Sequence, residues 1–177
     1  IGNNHGFNPE WVGDKTPFNT LNLDTIYKAF PDAKYIYMER DPIDVIASYI
    51  TSGIYKKPGD AAKRWLDSCR AWENFSKTAN NDNLTVVKYE NLVTKSSEII
   101  SNIGSKFQIP SLTCNNIDNI LNSLGDVGMR DHHKNVLKPT FSSSIGKGKK
   151  CLTSKDIEVA EKVLGNYIKE RGYNTYK

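Results

Sequence analysis

Short, dense runs of apolar residues alternate along this chain with stripes that recur every three or four positions. The dense runs at 34–38 and Leu84–Tyr89 are aromatic and β-branched, which is typical of buried strands. A helical pattern follows each run, first from Pro42 to a break at 51–53 and then along a face that ends before Pro110. Strands that alternate with helices predict an α/β fold with a parallel sheet flanked by helices.

Four further helices are predicted outside these units. The longest spans 60–80 and carries an apolar stripe at helical steps, formed by Ala61, Trp65, Cys69, Trp72 and Phe75. A short helix is predicted at Leu21–Ala29, and another around 117–124, before a long loop at 125–148. The last helix begins at Thr153 or Ser154, and Gly172 suits its C-cap.

Composition narrows the class of protein. The 177 residues, of which 38% are hydrophobic and 25% charged, fit one soluble globular domain. The net charge of +4 suits an anionic ligand but does not by itself point to nucleic acid. No apolar run is long enough for a membrane span. The sequence leaves the compartment undetermined, with the cytoplasm favoured and the Golgi lumen open if an anchor lies upstream. The three cysteines are far apart and predict ordinary thiols, without a metal site.

The junction between the first strand and its helix carries the most informative chemistry. Arg40 follows the strand, Asp41 is a preferred N-cap residue and Pro42 suits the first helical position. A guanidinium beside the free amides of a helix start suits a phosphate or a sulfate, and Ser48 can add a hydroxyl two turns further on. The alternative is that Arg40 pairs with Asp41 or Asp44 and that the segment is only core. The residues alone leave both interpretations open.

The segment 30–49 resembles the 3'-phosphate-binding element of the sulfotransferases that use 3'-phosphoadenosine 5'-phosphosulfate (PAPS). This resemblance implies that Arg40 and Ser48, eight positions apart, bind the 3'-phosphate of the cofactor. The segment 13–18, Gly-Asp-Lys-Thr-Pro-Phe, is similar to the family motif whose lysine approaches the sulfuryl group, which implies that Lys15 is catalytic. An ammonium group there would offset the charge that develops on the leaving oxygen. The alternative is a surface lysine before a turn proline.

Two later segments extend the resemblance. The run 87–93 is similar to the family element whose tyrosine lies against the adenosine end of the cofactor, which implies this role for Tyr89. The alternative is that Tyr89 is a half-buried residue at the rim of the fold. Glu90 is expected to hold local structure. The segment 135–153 resembles a late loop that closes over the nucleotide, with Lys147 as the candidate for its phosphates. Gly148 stands where the family usually has a tryptophan.

Together these motifs run from Gly13 to Tyr173 and imply a single sulfotransferase-like domain, residues 1–177, with a fold like that of the P-loop nucleotide hydrolases. The implied reaction moves a sulfuryl group from PAPS to a hydroxyl or amine acceptor, a small molecule, glycan or peptide, and releases adenosine 3',5'-bisphosphate. No metal is implied. Some of the motifs are similar to the protein-tyrosine sulfotransferase branch, which does not by itself establish a peptide acceptor.

One expected part of the family pattern has no match before Lys15, namely the first strand and the phosphate loop that comes after it. We therefore expect the chain to be the larger C-terminal part of the fold, and not to be stable and active alone. The catalytic base is not identified, although Asp131 or His132 is a candidate near the reaction centre. Two alternatives remain: an inactive nucleotide- or polyanion-binding domain of the same fold, and a P-loop kinase.

Overall fold

A parallel pair of strands lies at the centre of the computed structural model, which describes residues 10–109 and 144–176. Strand β1 spans Tyr35–Glu39 and β2 spans Leu84–Lys88, with Tyr35 opposite Leu84 and Glu39 opposite Lys88. The α/β class with a parallel sheet is thus confirmed. The helices within these ranges are α1 Leu23–Ala29, α2 Pro42–Thr51, α3 Pro58–Ser76, α4 Tyr89–Thr94, α5 Ser96–Phe107, α6 Gly148–Cys151, α7 Ser154–Leu164 and α8 Tyr167–Glu170.

Several predicted elements have shifted ends. The long helix α3 begins at Pro58 and ends at Ser76, because the amides of Thr78 and Ala79 turn back to the Phe75 carbonyl. The prediction that Tyr89 belongs to the second strand is wrong, since α4 begins at that residue. Gly165, with a φ of 57°, divides the last predicted helix into α7 and α8. The helix predicted around 117–124 lies outside the described residues.

One face of the sheet packs on the aromatic stripe of α3. Tyr37 stacks on Trp72 with the ring centroids 5.0 Å apart and an angle of 10° between the planes, and Tyr35 meets Phe75 edge-on at 5.0 Å. On the other face, large apolar side chains keep about half of their area exposed, namely Ile36, Met38 and Val86 at 48%, 47% and 47%. These aromatic contacts fix the side of the sheet on which α3 packs.

A second core lies between α2, α3 and α7. Ile46, Ala61 and Leu164 are almost fully buried there, and Ile168 of α8 closes the cluster. The small alanines of α3 let the helices approach closely. This packing holds α2, and with it the residues at its start, at a defined place beside the sheet.

The described cysteines are free thiols, as predicted. Burial raises the pKa of Cys69 to about 11, and its sulfur lies 3.4 Å from the Tyr37 hydroxyl oxygen, while Cys151 is exposed. Across residues 10–109 and 144–176, no helix is both long and apolar enough to cross a membrane. Within those same ranges, no three His, Cys, Asp or Glu side chains gather in a way that could hold a metal ion.

Candidate functional site

The candidate site begins where β1 passes into α2. Asp41 is the N-cap, and its Oδ1 accepts hydrogen bonds from the amides of Ile43 at 2.8 Å and Asp44 at 3.2 Å. Pro42 occupies the first helical position, as the sequence predicts. Arg40 therefore lies at the carboxyl edge of the sheet, one residue before the helix cap. In open parallel sheets ligands bind beyond this edge.

The Arg40 guanidinium has three neighbours. The ring of Tyr89 lies 4.4 Å from it, so the ends of the two parallel strands do bring these residues together. Its Nη2 donates to the carbonyl of Ser144 at 2.6 Å and lies 3.8 Å from Oδ2 of Asp44. The alternative pairing of Arg40 with Asp44 is therefore present only as a long contact, near the distance limit of an ion pair. Nε is buried and has no hydrogen-bond partner among the described residues, while the side chain as a whole keeps 23% of its area exposed.

The late segment 144–148 lies against the start of α2. Asp44, whose side chain is buried, accepts hydrogen bonds from the amides of Gly146 at 2.8 Å and Gly148 at 2.6 Å. A Cβ atom at Gly148 would lie 2.6 Å from the backbone oxygen of Ile43, so no side chain fits there. This contact requires glycine at position 148 in this chain. Lys147 lies between the two bound amides, and its side chain is exposed.

Other carboxylates at this edge have partners of their own. Glu39 is buried and accepts a hydrogen bond from Nη1 of Arg171 at 2.8 Å, and Oε1 of Glu90 accepts one from the Asp41 amide at 2.8 Å. Glu90 thus holds local structure, as expected. Burial raises the pKa of Asp41 despite the two amides bound to it. Each of these acids accepts at least one hydrogen bond from a protein donor, although Oε2 of Glu90 is buried without a partner among the described residues, so the negative charge around Arg40 is only partly offset.

Ser48 and Lys15 have a looser relation to this cluster. Ser48 is exposed on α2, one helical turn beyond Asp44. Lys15 is exposed in an irregular segment that is tied to α3, since Arg64 donates to the Pro17 carbonyl at 3.1 Å. The described contacts do not link Lys15 to the Arg40 cluster. The candidate base residues Asp131 and His132 lie outside the described residues.

Sequence reasoning missed two contributions to this edge. The sequence suggests Asp44 only as a partner of Arg40, whereas it also binds two backbone amides of a distant loop. For the C-terminal segment the sequence indicates only a helix end. In the structure this segment reaches the edge of the sheet, where the Tyr176 hydroxyl lies 3.4 Å from Oδ2 of Asp41 and Lys88 donates to the Arg171 carbonyl at 2.7 Å. The sequence does carry one sign of the Asp44 contact. Gly146 and Gly148 have no side chains, so their backbone amides are open to an acceptor.

Comparison with known proteins gives the family. A solved structure described as the "Sulfotransferase Domain from the Curacin Biosynthetic Pathway" superposes with a TM-score of 0.61 at 18% sequence identity, over 92% of this chain and 62% of that one. This likeness shows the fold, and the chain spans 62% of the length of that domain. The comparison with curated proteins found no match. The model of the "Sulfotransferase family" matches residues 2–113, which is more than half of the sequence, and the chain therefore belongs to the sulfotransferase family.

Proposed function

We propose that this chain binds PAPS at the carboxyl edge of the sheet and takes part in the transfer of its sulfuryl group to an acceptor hydroxyl or amine. The observation that carries the proposal is the state of Arg40. Its guanidinium lies 4.4 Å from the Tyr89 ring, its side chain keeps 23% of its area exposed, and its Nη2 is the group that donates to a described partner. A phosphate oxygen would accept a charge-assisted hydrogen bond from this guanidinium.

The nucleotide contacts are arranged around this centre. Arg40 and Ser48 would hold the 3'-phosphate, and Lys147 would approach the cofactor phosphates from the segment that Asp44 binds. Tyr89 would lie against the adenosine end. Its present contact supports a further task, because a ring packed on a guanidinium restricts the directions in which the donors can point.

Lys15 would act on the transferring group. In sulfuryl transfer the acceptor oxygen or nitrogen forms a bond to sulfur while the bond between sulfur and the bridging oxygen of the nucleotide breaks, and the acceptor proton passes to a base. Lys15 would offset the negative charge on the leaving phosphate, which favours the transition state over the ground state. The Lys15 side chain is exposed, so its ammonium group is accessible to such a ligand.

A second candidate function is binding without catalysis. It is favoured by one observation, namely that the described contacts join Arg40, Tyr89 and the 144–148 segment but do not include Lys15. A binding domain would retain adenosine 3',5'-bisphosphate with the same dependence on Arg40. It would give no Lys15-dependent release of that nucleotide from PAPS in the presence of an acceptor, whereas an enzyme would. The family and fold comparisons favour a sulfotransferase over the kinase alternative.

The test is calorimetric titration with adenosine 3',5'-bisphosphate and, as the ligand without a 3'-phosphate, ADP. We expect Arg40→Ala to weaken binding of the bisphosphate roughly tenfold to a hundredfold, the loss of one to two charge-assisted hydrogen bonds. Binding of ADP should be weaker in the wild-type protein and change little in the variant. The chain offers a matched control in Arg70→Ala, since Arg70 is also stacked on a tyrosine ring, that of Tyr167 at 5.4 Å.

Arg70 is exposed on α3, and its replacement should leave the bisphosphate affinity unchanged. Equal affinity of the wild-type and Arg40→Ala proteins for the bisphosphate would contradict the proposal. Equal affinity for the bisphosphate and ADP would contradict it as well, because a 3'-phosphate site must discriminate between them.

A further inference from the structure

Asp44 connects α2 to a segment that lies far away in the sequence. We propose that Asp44 is a positioning residue, which holds the segment 144–148 against α2 so that Lys147 faces the anion site at Arg40. The inference rests on the proposed function, since it assumes that this site binds the 3'-phosphate of a nucleotide. It assigns a role to a side chain that does not itself contact the ligand.

The geometry of the carboxylate supports this role. Oδ2 accepts from the Gly146 amide at 2.8 Å and Oδ1 from the Gly148 amide at 2.6 Å, so both oxygens hold the same short segment. Asp44 is only 4% exposed, which strengthens these bonds relative to the same bonds in water. The residue between the two amides is Lys147. Because Asp44 holds the residues on both sides of Lys147, it also fixes the position of the Lys147 backbone.

The two glycines adapt the segment to this contact. Gly146 has a φ of 72°, a conformation that residues with a side chain rarely adopt. Gly148 lies so close to α2 that a Cβ atom would meet the carbonyl carbon and oxygen of Ile43 at 2.6 Å. The same segment also supplies the Ser144 carbonyl that accepts from Arg40 at 2.6 Å. Asp44, the glycines and Arg40 thus form one connected arrangement.

Asp44 could also act in the opposite sense. Its Oδ2 lies 3.8 Å from Nη2 of Arg40, so its negative charge opposes an incoming anion at that guanidinium. Removal of a carboxylate that acts only by repulsion would tighten nucleotide binding. Removal of a positioning residue would weaken binding, because the segment with Lys147 would no longer be fixed. The two roles predict changes of opposite sign.

The experiment combines nucleotide titration with hydrogen exchange in Asp44→Asn. We expect affinity for adenosine 3',5'-bisphosphate to fall about tenfold, because one of two charge-assisted bonds to the segment is lost and the other weakened. Affinity for AMP, which lacks the 3'-phosphate, should change by less than about twofold, since general damage to the fold would affect both ligands. Amide exchange in 144–152 should become faster. Asp67→Asn is the matched control, because Asp67 pairs with Lys63 on the exposed face of α3.

A double-mutant cycle tests the link to Lys147. Lys147→Ala should weaken bisphosphate binding about fivefold in the wild-type background but less than about twofold in Asp44→Asn, since the lysine is no longer held in place there. Equal losses in both backgrounds, unchanged exchange in 144–152, or tighter binding by Asp44→Asn would each overturn the proposal. If the wild-type protein does not bind the bisphosphate, the proposed function fails, and the exchange measurement alone decides whether Asp44 holds the segment.

A second variant approaches the same contact from the loop, in case Asp44→Asn does not fold. Gly148→Ala leaves the carboxylate intact but places a Cβ atom against Ile43, so it should displace the segment and reproduce both the loss of bisphosphate affinity and the faster exchange. Gly59→Ala is its control, because a Cβ atom there would meet only Val159 at an ordinary 3.5 Å. Wild-type binding and exchange in a folded Gly148→Ala protein would contradict the proposal.

Discussion

At the scale of single residues, the site depends on how one guanidinium is held. Arg40 gains a fixed direction from the Tyr89 ring at 4.4 Å and from the Ser144 carbonyl at 2.6 Å. Only the second of these contacts fills a hydrogen-bonding position on the guanidinium. The aromatic contact restrains the group without consuming its donors, which is the condition that an anion site requires.

Because the Tyr89 ring restrains the guanidinium without using its donors, the effect of replacing Tyr89 can be predicted. Tyr89→Ala should weaken binding of adenosine 3',5'-bisphosphate about fivefold, the loss expected for a half-buried cation–π contact. Tyr89→Phe should bind nearly as the wild-type protein does, because it keeps the ring under Arg40. Calorimetric titration of the two variants makes the comparison. Equal losses in both would show that the hydroxyl, and not the ring, matters.

The common position of Arg40 and Tyr89 at one edge of the sheet could be predicted from the sequence, whereas their contact and the contact of Asp44 with the late loop could not. Arg40 and Tyr89 lie at the ends of apolar runs that are typical of parallel strands, and the carboxyl ends of such strands meet at one edge. The amides of Gly146 and Gly148 lie more than 100 positions after Asp44. The two glycines indicate open amides, but no pattern in the sequence connects them with Asp44, so the packed structure is needed to identify their partner.

At the scale of elements, local capping chemistry decides where the helices begin. Asp41 caps α2 as predicted, and α7 begins with a capping box in which Thr153 and Asp156 bond reciprocally. The ends of the helices are harder to predict. The end of α3 at Ser76 and the division at Gly165 are made by local turns that the periodicity of apolar residues does not mark.

The capping box yields a prediction about stability. Thr153→Ala should lower the free energy of unfolding by about 1 kcal/mol, since the amide of Asp156 loses its acceptor at the start of α7. Thr153→Ser retains the hydroxyl and should cost less than about 0.5 kcal/mol. Urea unfolding followed by circular dichroism measures both. An equally large loss in the serine variant would mean that the methyl group, not the cap, stabilises the helix.

At the scale of the whole molecule, the last residues tie the sheet edge to α3. Arg171 donates to buried Glu39 at the end of β1 and, through Nη2, to Oε1 of Glu73 on α3 at 2.5 Å. The amide of Tyr176 donates to Oε1 of Glu161 on α7 at 2.6 Å. Helical periodicity predicts a final helix with an apolar face, but it reveals neither the path of the chain after that helix nor the strand that the C-terminal segment reaches.

A final prediction concerns Glu39, whose side chain is 2% exposed and lies 2.8 Å from Nη1 of Arg171. Arg171→Ala should lower the free energy of unfolding by about 3–5 kcal/mol, because it leaves a carboxylate buried without its cation. The double variant Arg171→Ala with Glu39→Gln should recover part of this loss, since it removes the buried charge along with its partner. Arg70→Ala, an exposed arginine of α3, should change stability by less than about 0.5 kcal/mol. Urea unfolding of the four proteins tests the pair. A double variant no more stable than Arg171→Ala would indicate that Arg171 acts through its packing and not through the charge of Glu39.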